Sequence, residues 1–148
     1  MILDAHNLFS DAQVLTTGSE NGIASSNVID LGLARDLGTG ENLYVVVSVD
    51  TAFTDSSSNT DLAVILQTDA YVAFNSAATG QTIGTLPALS AVGDRLVARI
   101  QPGGANEQYI RLFYTAGNGA MTTCAVTAFL THDVQAYTSY NDNVSVLG

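Results

Sequence analysis

Residues Asn42–Ala52 read NLYVVVSVDTA. In an extended chain Leu43, Val45, Val47 and Val49 fall on one side, and Tyr44, Val46, Ser48 and Asp50 on the other. Successive strand side chains point to opposite faces, so this alternation of β-branched residues marks a half-buried strand.

Working outward, the same rhythm recurs. Asp61–Asp69 (DLAVILQTD) puts Leu62, Val64 and Leu66 on one side, and Tyr71–Phe74 reads as an extension of that sheet after a bend. Gln81–Leu86 is a short strand stopped by Pro87, which has no backbone donor for a ladder. Asp94–Gln101 sends Leu96, Ala98 and Ile100 inward and Arg95 and Arg99 outward. After the turn PGGAN, Glu107–Thr115 alternates Ile110, Leu112 and Tyr114 with Tyr109, Arg111 and Phe113. After GNG, Thr122–Thr131 places Cys124, Val126, Ala128 and Leu130 together. Toward the N-terminus, Gln13–Thr17 and Asn27–Leu31 read as shorter strands around a polar loop.

About eight strands and no persuasive helix in 148 residues predict one all-β domain, an antiparallel β-sandwich spanning 1–148. The pattern leaves a jelly roll and other Greek-key sandwiches open. Residues 1–12 read as an extended N-terminal arm and 134–148 as a C-terminal tail. Large side chains on both faces of the late strands predict that an outer face is covered, by an oligomer partner.

Fourteen acids against four arginines give a net charge of −10, and there is no Lys. That field repels phosphate and anionic lipid, so nucleic acid and membrane are not expected partners. The opening MILDAHNLFSDAQ has no basic n-region or long apolar core, so no export signal is expected. Cys124 has no partner for an internal disulfide and sits mid-strand on an apolar face, a poor place for a reactive thiolate.

Chemistry is sparse. His6 and His132 lie at opposite ends of the chain, and a metal site needs three or four clustered ligands. Asp50, Asp55 and Asp61 do not follow the alternating spacing of a calcium loop and read as turn acids. G-x-S-x-G and G-x-G-x-x-G are absent, and without Lys there is no Walker loop. No cofactor and no enzymatic activity are expected. Exposed Tyr44, Tyr71, Tyr109, Tyr137 and Tyr140 keep open a carbohydrate- or receptor-binding module on a virion surface. A small metal-dependent cupin-like enzyme is the third reading.

Four stretches taken together, MILDAHNLFSDAQ, GTGENLYVVVSVDTAFT, NEQYIRLFYTAGNG and TAFLTHDVQAY, resemble the Bbp16-type capsid cement proteins of tailed bacteriophages. The similarity runs through most of the chain in order. It implies a jelly roll, made in the bacterial host cytoplasm, that binds the outer surface of the icosahedral head. It further implies a homo-oligomer, dimer or trimer, that bridges capsomers of the major capsid protein and stabilises the shell against the pressure of packaged DNA. With that role in view, Leu8 and Phe9 are candidate shell or subunit anchors, and Tyr109, Arg111 and Phe113 a candidate oligomer face.

Overall fold

A computed structural model describes residues 4–16 and 19–134. Among these residues nine strands make two antiparallel sheets: β1 (Leu8–Val14), β2 (Ile23–Ala24), β3 (Ile29–Asp30), β4 (Tyr44–Thr54), β5 (Leu62–Asp69), β6 (Ala78–Leu86), β7 (Arg95–Arg99), β8 (Tyr109–Ala116) and β9 (Thr123–Thr131). The first sheet runs β1-β9-β4-β7 and the second β2-β8-β5-β6, with β3 also on β8. The chain changes sheet at nearly every connection, which is the wrapping of a jelly roll. β2 and β3 share one strand position, interrupted at Ser25. There the Ser25 hydroxyl donates to the Asn27 carbonyl and accepts from Leu112 N–H, while Asn27 N–H turns away to Phe9 O.

Alternation builds the core. Val45, Val47 and Val49 of β4 and Val126, Ala128 and Leu130 of β9 meet Leu62, Val64 and Leu66 of β5 and Ile110, Leu112 and Tyr114 of β8. Each large side chain taken out of water there contributes about 1.5–3 kcal/mol. The triple Val of β4 has its own reason. Val46 faces outward in register with Phe129 of β9 and Val97 of β7, and Phe129 with Leu8 of β1, so an apolar row crosses the outside of the first sheet.

One polar chain threads the interior. The Ser10 hydroxyl donates to Gln13 Oε1 (2.7 Å), so its 2.8 Å contact with the buried Tyr114 hydroxyl has Tyr114 donating. Gln13 continues it to Ala24 O and from Ser26 N–H, fastening β1 to both β2 and β8.

The structure corrects three expectations. Leu8 onward is not an arm: residues 5–7 form a 3-10 turn capped by Asp4, and β1 then enters the first sheet beside β9. Tyr71–Phe74 does not extend a strand but turns back over the second sheet. The first strand expected at Gln13–Thr17 begins earlier, at Leu8. The C-terminal tail from residue 135 on lies outside the described residues.

Candidate functional site

β8 presents Tyr109, Arg111 and Phe113 on the outer face of the second sheet, opposite Asp69, Gln67 and Ile65 of β5. All three are half-buried. Part of their cover comes from the chain itself. Phe74 lies only 7 % exposed with its ring beneath the Arg111 guanidinium, 4.1 Å from the ring centroid, and Phe113 lies at 5.9 Å. Arg111 Nε donates to Gln67 Oε1 at 2.8 Å. Burial lowers the Arg111 pKa and Asp69 nearby offsets part of that, so the side chain stays cationic at any ordinary pH. A cation stacked on aromatic rings and tied at Nε is held in one orientation.

Asp69 shapes the loop that carries Phe74. Its carboxylate accepts from Tyr71 N–H (3.0 Å), Ser76 N–H (2.9 Å) and the Ser76 hydroxyl. Burial alone would raise its pKa, but these donors outweigh it and hold the carboxyl below its ordinary range. Phe74 itself takes a left-handed backbone (φ 51) to turn its ring inward. On the other side of the face Gly22, at φ 89, passes so close that a Cβ would collide with the Phe113 ring.

The other sequence candidates separate. Phe9 is fully buried in the core, so it is removed as an outward-facing anchor; Leu8 is half-buried beside Phe129 on the first sheet's outer face. Tyr44 and Tyr109 lie in different sheets, Tyr44 beside Arg99 of β7 and Tyr109 beside Asp69 of β5, with both side chains on outer faces. They therefore form no shared aromatic platform. Tyr71 is exposed on its loop, and Tyr137 and Tyr140 lie outside the described residues. Asp55 is used by its own turn, accepting from Ser57 and Thr60 N–H, and Asp50 accepts from the Thr127 hydroxyl. Burial pushes the Cys124 thiol up to about 12.

Sequence order hides one convergence. His6 and His132 line the same cleft of about 630 Å³ at the end of the sandwich where β3 and β4 meet the end of β9. Ile29, Leu31, Leu37, Leu43 and Leu130 provide its apolar lining, and Asp4, Asp30 and Asp133 are its acids. His132 Nδ1 stands 3.0 Å from the Asn42 carbonyl, which can only accept, so that nitrogen carries the proton. Among the described residues no group of three or more His, Cys, Asp or Glu is placed to hold a metal ion. A second cleft, of about 530 Å³, adjoins the first and shares His6, Ile29 and Asp30 with it. Sequence reasoning missed Phe74 and this cleft. Asp69 at a strand end before Tyr71 and Ser76 was the available sign of a side-chain-organised turn.

The topology and these surfaces define a jelly-roll sandwich with a stacked arginine on one face and an apolar cleft at one end. More specifically, the family model Bbp16 matches residues 9–130, and the chain belongs to the Bbp16 family. That family suggests a phage structural protein carried in the virion. No curated protein matches the chain.

Proposed function

We propose that this protein is a capsid cement protein. It binds the outer surface of the icosahedral phage head as a homo-oligomer, bridges neighbouring capsomers of the major capsid protein and stabilises the shell against internal DNA pressure. Membership of the Bbp16 family over residues 9–130 carries this reading. The fold supports it: two sheets closed on one core form a stiff block, and bridging subunits asks for contact area rather than a catalytic group. The stacked Arg111 flanked by Tyr109 and Phe113 is the kind of pre-set aromatic and arginine cluster that dominates protein interfaces. The net charge of −10 favours protein over DNA as the surface met. Several linked copies on several shell sites add avidity without new contact types.

The test is reconstitution. Purified protein is added to heads that lack it, and occupancy and the temperature of shell rupture are measured. Saturable binding at symmetry-related outer sites with later rupture is expected. Failure to bind expanded heads overturns the reading. Arg111→Ala separates the β8 face from the rest: if Tyr109, Arg111 and Phe113 form a contact, occupancy or oligomer size falls while the fold is kept.

A further inference from the structure

We infer that the cleft at the β3 end is one half of a self-complementary contact, filled by the Leu33–Ala34–Arg35 loop of a second copy of this chain. The inference deepens the homo-oligomer part of the proposed function and rests on it.

The loop is built as a projection. Asp30 Oδ1 accepts Gly32 N–H at one base, at 2.7 Å. Asp36 pins the other, accepting Gly38 N–H at 2.9 Å and Gly103 N–H at 2.8 Å. Between these ties residues 32–35 are all exposed, and Leu33 is 69 % exposed. An aliphatic side chain and a cation two residues apart are thus held out on a fixed stem, with little ordering left to do on binding.

The cleft offers the complement beside it. Leu31, Leu37 and Leu43 are half-buried, packed on the core and also lining the cleft. Asp4 and Asp30 supply negative charge, and none of the four arginines lines either cleft. A volume of about 630 Å³ is of ligand-pocket size and takes a leucine side chain with room to spare. The adjoining cleft turns the pocket into a groove, which suits a peptide loop better than a compact molecule.

Projection and groove sit on one patch, since Leu31 and Leu37 border both. A two-fold contact needs this arrangement, in which the same surface on each copy supplies both knob and hole. Residues 135–148 contain no Lys or Arg, so the chain's own C-terminal segment lacks the matching charge. Between copies that each carry −10, Arg35 against the acidic groove supplies local attraction where the global field repels.

The experiment is sedimentation analysis of the full chain. Leu33→Ser and Arg35→Glu each should weaken self-association at least about tenfold in Kd, with the thermal midpoint of the dissociated chain, read at concentrations too dilute for association, unchanged because both side chains are exposed. Asp4→Lys should weaken it as well. An equimolar mixture of Arg35→Glu with Asp4→Lys should recover association, because both contacts of the mixed dimer are then complementary. A wild-type chain that associates equally well after these changes overturns the inference and leaves the homo-oligomer reading intact. A wild-type chain that stays monomeric at every attainable concentration overturns both.

Discussion

Truncating Phe9 separates a core role from a contact role. Phe9 is fully excluded from water, in strand β1, between the pairs Leu8↔Phe129 and Ser10↔Ala128 where the ladder shifts register. Phe→Ala in a core costs about 3–5 kcal/mol, from lost transfer energy plus the cavity left behind. A strand with one neighbour among the described residues and an irregular ladder can close part of that cavity, so Phe9→Ala should fall near the lower end, about 3 kcal/mol. In a domain of this size each kcal/mol moves the thermal midpoint by about 2–4 °C, giving a drop of roughly 6–12 °C. Leu8→Ala, half-buried on the outer face, should cost about 1 kcal/mol. Urea and thermal unfolding give both values, and head attachment is then scored where both variants are folded. The reasoning fails if Phe9→Ala stays within about 0.5 kcal/mol of wild type yet abolishes attachment, since the ring would then be a contact and not core.

The buried hydroxyl pair should show its direction of donation. Tyr114→Phe removes a donor and should cost about 1 kcal/mol, whereas Ser10→Ala strands the Tyr114 O–H without its acceptor and should cost about 1–3 kcal/mol; the double variant, measured by urea unfolding, should cost less than the sum. The Asp69 turn should loosen in acid. Because the folded pKa is held below the ordinary 3.8, the stability it contributes is complete above that value and is lost as pH falls through the lower folded one. Amide exchange at Tyr71 and Ser76 reads this, and protection unchanged throughout that fall would contradict it. Cys124 should resist alkylation in the native state at about pH 8 and react only on unfolding, since little thiolate forms below its raised pKa.

The strands legible in the sequence are those whose two faces differ. β4, β5, β8 and β9 each have core neighbours on one side, so alternation survives in their residues and their inward sets match the core. β1 was hidden because it is irregular: register shifts and the left-handed Ala12 (φ 44) break the period, and its polar Ser10 and Gln13 are strand residues through their pairing with Ala128 and Val126 of β9. The start of β6 was hidden likewise: Ala78 and Gly80 on either side of Thr79 have little strand preference of their own, and the segment is strand because β5 offers Thr68 and Gln67 as partners to Ala78 and Thr79. The large outward residues of β8 did signal cover. The sequence could not say that Phe74, from a segment read as strand, supplies part of it. The cleft was illegible for a simpler reason: closing β1 against β9 is what brings His6 to His132, and no local pattern records that pairing.

The neighbouring of β1 and β9 also governs how the domain bears tension. Their antiparallel pairing puts Leu8 and Thr131 at the same end of the sandwich. A pull on those two points would peel the ladder apart one rung at a time, because its hydrogen bonds lie perpendicular to the strands and along the line of force. The same ladder pulled lengthwise, from opposite ends of the sandwich, would have to break many rungs together. The domain is therefore a weak tether through β1 and β9 and a strong strut along the strand axis, so any mechanical load it carries is best borne through the loops at its two ends.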